Sequence, residues 1–455
     1  MIRDCGKGQV MIFAKRALLP SGWAENVRIS ATDGRITRIL EKTRPQPGDT
    51  CVDALVAGMP NVHSHAFQRG HSGLTEMRGA GQESFWTWRE MMYRFALSVG
   101  PEDVSALAEM AYVEMLEAGY TRVGEFHYLH HDPSGAPYAD PAELSGRIFA
   151  AAETSGIALT HLPVFYAHGG FGPQLADEGQ RRFLHGIDTF IALIERCEQM
   201  LTRQQDRVGF APHSLRAASH EDLTALIAAL PSRKLHIHIS EQVKEVEDCL
   251  DHYGQRPVEW LLSHFNVTED WCLIHATHLT EAEATRLARS GAVAGLCPVT
   301  EANLGDGLFP APDFLVEGGL ISIGTDSNVR IDVAEELRIL EYGQRLTHRA
   351  RNVLAQEGGS TGRRLFDAAL TGGAQALDAP KAEIAAGAPA DLVALCDPLN
   401  LTQDGDQLLD RWIFGRDMDV DHVWAAGEHV VEAGRHIRRE AVQERFGEVL
   451  RRVLS

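Results

Sequence analysis

An eightfold alternation constrains this chain more than any other feature. Short apolar runs recur at 55–65, 121–129, 158–165, 207–213, 234–240, 271–275, 292–297 and 320–326. Amphipathic stretches lie between them. Val104, Leu107, Ala111 and Met115 recur at three- and four-residue steps and are closed by Gly119. The same patterning predicts helices over 141–152, 183–201, 221–230, 243–265, 281–290 and 333–348. An apolar run followed by a helix, eight times over, predicts an α/β fold: a (β/α)8 TIM-type barrel. A doubly wound open sheet is the rival architecture.

The two ends read differently. Residues 17–19 and 27–29 flank the turn-like Pro20-Ser21-Gly22, and Asp33-Gly34 is a hairpin signal before the alternating Ile36 and Ile39. Pro45-Gln46-Pro47-Gly48 then breaks the pattern. Strand-like segments return at 390–395 and Val423-Trp424, with turns at Gly427 and Gly434. These portions predict a small β-sandwich domain formed by the N- and C-terminal segments. The expected division is 1–57 and 381–455 for that domain, with a terminal amphipathic helix over 436–454, and 58–380 for the barrel.

A chain of 455 residues suits one large and one lesser domain. With 43 basic and 63 acidic residues the net charge is −20, which argues against nucleic acid or an anionic membrane as partner. Seven cysteines, Cys5, Cys51, Cys197, Cys249, Cys272, Cys297 and Cys396, include no Cys-x-x-Cys. They read as reduced, mostly buried thiols of a cytoplasmic protein. No signal peptide and no membrane-spanning run is evident.

Chemistry in a barrel of this kind sits at the C-terminal ends of the strands. Run one ends in His63 and His65, which share one strand face because they are two residues apart. Run two ends near His127 and Tyr128, run four in His213 with Arg216 beyond, run five in His238 with Glu241 beyond, run six in His275, and run eight in Thr325-Asp326-Ser327. The starts of the runs carry few such groups. His63, His65, His238 and Asp326 can encircle one divalent ion; zinc is expected, although iron or manganese also suits three imidazoles and a carboxylate. Each residue has a plainer reading: the His63/His65 pair as polar groups at a strand end, Asp326 as a cap or turn residue, Glu241 as a first-turn acid. His236 reads as a core residue one layer deeper, His127 and His278 as loop residues, and His71, His130 and His131 as solvated. Beside a metal-activated water, Glu241 reads as the proton shuttle, His275 as an oxyanion donor or water-orienting group, and Asp326 as both ligand and acceptor from the water.

Pro60-Asn61-Val62-His63-Ser64-His65, His238-Ile239-Ser240-Glu241, His275, Thr325-Asp326 and Gly387-Ala388-Pro389-Ala390-Asp391-Leu392-Val393 resemble the deaminase branch of the amidohydrolase superfamily. Members with two metals carry a lysine at the end of strand four. Residues 208–214 contain none, so the resemblance implies one metal per chain. The segments 16–23, 65–69, 86–89, 124–130 and 212–216 resemble the N-formimino-L-glutamate deiminase family, a group of zinc enzymes of histidine breakdown. That resemblance implies release of ammonia from N-formimino-L-glutamate and a possible homodimer. It also implies that Gln68 bonds the formimino group and that Arg89, Tyr128, His213 and Arg216 hold a dicarboxylate substrate. Guanidinium forks match carboxylates, so the arginines fit independently. The alternatives are a deaminase of a cyclic amidine such as guanine or cytosine, and a non-catalytic barrel scaffold.

Overall fold

The computed structural model describes residues 10–78, 85–401 and 405–454. Cys5 lies outside the described residues. Strands β1 (Val10–Leu19), β2 (Gly22–Thr32), β3 (Arg35–Leu40) and β4 (Thr50–Ala57) precede the barrel strands β5 (Met59–Ser64), β6 (Tyr120–His127), β7 (Ala158–Phe165), β8 (Arg207–Val208), β9 (Ala211–Pro212), β10 (Leu235–Ile239), β11 (Trp271–His275), β12 (Val293–Leu296) and β13 (Leu320–Ile323). Then follow β14 (Leu392–Cys396), β15 (Asp419–Ala425), β16 (Glu428–Glu432) and β17 (Arg435–His436).

Parallel pairing runs β5-β6-β7-β8 and β10-β11-β12-β13, and β9 pairs with β7. β8 and β9 form one interrupted strand position. Parallel bridges Phe210–Leu235 and Ser214–His238 join it to β10, and Ser64–Asp326 joins β13 back to β5. The barrel therefore closes, and the open-sheet rival falls away. Closure is tight: a Cβ on Gly324 would lie 2.9 Å from the backbone N of His63, so a larger residue would push the first and last strands apart. All eight apolar runs correspond to strand positions.

The terminal segments form one continuous eight-stranded sheet, ordered β17-β16-β15-β14-β4-β1-β2-β3. The expected sandwich arises because this sheet curls. Ile36 N–H donates to Ala388 O and Ala390 N–H to Gly34 O, so edge strand β3 meets the segment leading into β14. Ile12, Val27, Ile29, Leu55, Leu392 and Trp424 fill the space between. Asp33 and Gly34, both at positive φ, make the β2–β3 turn as the sequence predicts.

Several expectations need correction. The helix expected over 243–265 is two, Val243–Tyr253 and Pro257–His264. Gly254 terminates the first in the left-handed region, and Pro257 starts the second at a position where its missing N–H costs nothing. The helix Phe85–Ala96 follows β5 among the described residues. Helices Thr361–Ala376 and Asp406–Phe414 had no counterpart in the sequence reading. His71 and His130 are buried, not solvated, and His131 is half-buried with Nε2 2.7 Å from Leu184 O. His127 is the buried last residue of β6 rather than a loop residue. His236 lies in the core, its Nε2 2.9 Å from Ala376 O.

Candidate metal centre

Where the barrel closes, its backbone places the candidate ligands. His65 N–H donates to Asp326 O and Asp326 N–H donates to His63 O, both at 2.9 Å. Asn61, which the sequence reading left without a role, ties the two strands. Its Oδ1 accepts from the backbone N–H of His63 and of Thr325 at 3.2 Å each, and its Nδ2 donates to Thr325 Oγ1 at 2.7 Å. Asp326 sits at φ 45°, a left-handed conformation that turns its carboxylate inward instead of continuing the strand.

His63, His65, His238 and Asp326 are all buried, and one ligand atom from each lies within 4.8 Å of all the others. His63 Nε2 is 3.1 Å from His65 Nε2, 3.0 Å from His238 Nε2 and 3.3 Å from Asp326 Oδ1. His65 Nε2 is 3.2 Å from the same oxygen. One proton on His63 Nε2 satisfies one of these contacts and leaves the others as opposed lone pairs. A cation at the centre satisfies all of them, so the residues fit a metal. His65 Nδ1–H donates to Phe126 O at 2.8 Å, which leaves its Nε2 lone pair facing the centre. Burial holds His63 down to about 3 and His238 well below the ordinary imidazole value, so both are neutral. Burial pushes Asp326 up, but its close contacts with the His63 and His65 rings outweigh it and hold the carboxyl well below its usual range. Neutral imidazoles beside an ionised carboxylate are the forms that ligate.

Glu241 and His275 flank this cluster, with His275 Nε2 3.8 Å from Glu241 Oε1. The turn after β10 carries Glu241. Ser240 takes φ 52°, and Glu245 accepts from the N–H groups of Ser240 and Glu241 at 3.3 and 3.1 Å. Burial raises Glu241 to about 7 against the opposing charges of His275 and Arg216. His275 is pulled down by burial but raised to about 10 by Glu241, Glu301 and Asp326. Its Nδ1 faces Glu301 Oε1 at 3.3 Å. The sequence reading missed Glu301; its one signal is an acid in the first turn after run seven. His275, Cys297 and Glu301 form a second close group, but burial keeps the Cys297 thiol protonated.

A cavity of about 530 Å³ opens onto the cluster, and Gln68, Arg89, Tyr128, His213 and Arg216 all line it. Gln68 Nε2 donates to Tyr128 Oη at 2.6 Å, and its Oε1 is buried without a partner. Arg216 Nε and Nη2 and Arg89 Nε are likewise buried without partners among the described residues. Both guanidinium groups lie over the Trp86 ring, at 4.6 Å for Arg89 and 5.7 Å for Arg216. Buried donors without acceptors cost free energy unless a ligand supplies acceptors. Tyr93, Tyr166 and Phe183 also line the cavity and were not foreseen from the sequence.

Residues 54–430 match the family model "Amidohydrolase family", and residues 9–52 match "Formimidoylglutamate deiminase HutF, N-terminal domain". The chain is similar to a formimidoylglutamate deiminase of Pseudomonas aeruginosa, 50% identical and covering 98% of this chain and 99% of that one. It is 27% identical to a 5-methylthioadenosine/S-adenosylhomocysteine deaminase of Natronomonas pharaonis, over 88% and 87% of the two chains. Among solved structures, an amidohydrolase from Brucella melitensis superposes with a TM-score of 0.96 at 52% identity, covering 98% and 100%. A zinc-bound adenosine deaminase from Xanthomonas campestris shares the fold, with a TM-score of 0.80 at 23% identity and 98% coverage of both chains.

Proposed function

The chain belongs to the amidohydrolase family, and from that membership we propose that it hydrolyses the formimino group of N-formimino-L-glutamate, giving N-formyl-L-glutamate and ammonia in histidine degradation. The observation that carries this reading is one cavity holding a His₃Asp cluster at its floor and two arginines with unpartnered donors on its wall. The floor suits hydrolysis of a C–N bond. The wall suits a substrate with two carboxylates.

His63, His65, His238 and Asp326 are assigned as ligands of one divalent cation per chain, with zinc the expected ion. Such a cation supplies Lewis acidity, which makes water a competent nucleophile at neutral pH. Glu241 takes the proton from the attacking water as the new C–O bond forms at the imino carbon, and delivers it to the imino nitrogen. The adduct then carries a hydroxyl and an amino group. The hydroxyl proton passes by the same carboxyl to the nitrogen as the C–N bond breaks, so ammonia leaves and the formyl C=O remains. A carboxyl raised to about 7 gives and takes protons readily near neutrality. His275, charged in this setting, orients the water and stabilises the developing oxyanion. Gln68 Oε1 accepts from the formimino nitrogen, and Arg89, Tyr128, His213 and Arg216 hold the carboxylates.

A cyclic amidine such as guanine or cytosine leaves those guanidinium donors unanswered. A cytoplasmic location and a homodimer belong to the same reading; no helix among the described residues is long and apolar enough to cross a membrane. Ammonia release from N-formimino-L-glutamate, assayed beside a panel of purines and pyrimidines, tests the substrate. Preference for any base overturns it.

A further inference from the structure

Beyond the arginines, the cavity wall carries two phenols whose hydroxyls share one neighbour. Gln180 is buried and ends the 3-10 turn Glu178–Gln180. Its Oε1 accepts from Asp177 N–H at 2.9 Å, while its own N–H donates to Asp177 Oδ1 at 3.2 Å. That reciprocal cap fixes which way the amide points, because a backbone N–H needs an acceptor. Gln180 Nε2 must therefore face the cavity side, where it donates to Tyr166 Oη at 2.7 Å and to Tyr93 Oη at 3.4 Å. Each phenol oxygen thus accepts from Gln180, and the two hydroxyls also lie near enough to interact with each other, so their protons turn either to that contact or to a bound acceptor.

The surroundings say where. Tyr166 follows β7 directly and is buried at the cavity wall; Tyr93 lies on the helix Phe85–Ala96, one turn after Arg89, whose guanidinium is 5.4 Å from the Tyr93 ring. The turn presses on Tyr93: a Cβ on Gly179 would lie 2.6 Å from that ring. Burial keeps the Tyr166 hydroxyl protonated.

We propose that Tyr166 and Tyr93 donate hydrogen bonds to the substrate carboxylate held by Arg89 and Arg216, with Gln180 as the positioning residue that keeps both phenols as donors. This deepens the dicarboxylate reading above and rests on it. The four groups form a donor-rich pocket, since the guanidinium groups have no acceptor and each phenol oxygen already accepts from Gln180. A carboxylate, which only accepts, satisfies it. A carboxamide brings an NH₂ against donors and leaves polar hydrogens unpaired, so the pocket discriminates between the two.

The test uses the full-length metal-loaded enzyme and two readouts: kinetics with N-formimino-L-glutamate and calorimetric binding of glutarate, an inert dicarboxylate. Tyr166→Phe is expected to weaken glutarate binding about tenfold or more, the worth of one hydrogen bond to a charged group, and to raise KM more than it lowers kcat. Gln180→Glu turns the phenolic protons toward its own carboxylate, so it is expected to weaken binding similarly. Combined with Tyr93→Phe and Tyr166→Phe, it should then add little. Unchanged glutarate affinity in Tyr166→Phe overturns the proposal, as does a Gln180→Glu loss that persists in full without the phenols. Tyr166→Phe removes one oxygen and keeps the ring packing, so it reports even where Gln180→Glu fails to fold. A wild-type enzyme that binds glutarate through Tyr166 yet releases no ammonia contradicts the substrate reading and leaves this one standing; normal ammonia release with Tyr166-independent binding does the reverse.

Discussion

Glu241 sits where three demands meet: it is buried, it faces His275, and Glu245 holds its backbone. Replacing its carboxyl with an amide keeps the shape and removes the proton carrier. Glu241→Gln is expected to retain its metal and lose about 10³-fold in kcat, within the range of positioned acid–base groups. Metal analysis and ammonia release on the same preparation check this, and wild-type turnover with full metal content would refute the shuttle. The four assigned ligands, Glu241 and His275 were legible because they lie at or just beyond the ends of apolar runs. Asn61, Glu301 and Gln180 were not. They act through hydrogen bonds between distant segments, and no local period marks such a partner.

At the scale of elements, the alternation was readable because each run is bounded and short, and because helical faces repeat at three and four residues. The helix Thr361–Ala376 shows what hides an element. It carries Gly372 and Gly373, which weaken helix propensity, yet both are needed for contact. A Cβ on Gly372 would lie 2.2 Å from Ile321 O, and one on Gly373 would lie 2.3 Å from Pro60 Cγ. The helix backbone thus rests directly on β13 and β5, the strands that close the barrel. Two effects compete in Gly372→Ala. Propensity favours alanine by about 1 kcal/mol, whereas overpacking against backbone costs typically 1–3 kcal/mol. Since the obstructing atom is backbone, the clash is expected to win, and the denaturant midpoint should fall. A midpoint at or above wild type would show that the helix does not pack this closely. The buried His71 and His130 were misread for a related reason: polarity in sequence does not reveal a carbonyl waiting in the fold, such as Val164 O at 2.9 Å from His130 Nε2.

For the whole molecule, burial of many neutral imidazoles makes stability depend on pH. Burial lowers His71 and His185 to about 4 and His127 to about 3. Their folded values lie below the unfolded value near 6.5, so on acidification the unfolded chain binds protons first. The stability they contribute is complete above pH 6.5 and is lost as pH falls toward about 4, at roughly 1.4 kcal/mol per pH unit for each histidine. Chemical denaturation at pH 7.5, 6.5, 5.5 and 5 should show a plateau and then a steep fall. A flat profile to pH 5 would mean these rings are charged or exposed.

The central claim is that His63, His65, His238 and Asp326 hold one divalent cation on which hydrolysis depends. The most direct measurement is ammonia released from N-formimino-L-glutamate by metal-stripped protein as zinc is added back. The expected result is no release without zinc and a linear rise that levels off near one equivalent per chain. Undiminished release by the stripped protein, or none at any zinc ratio, would contradict it.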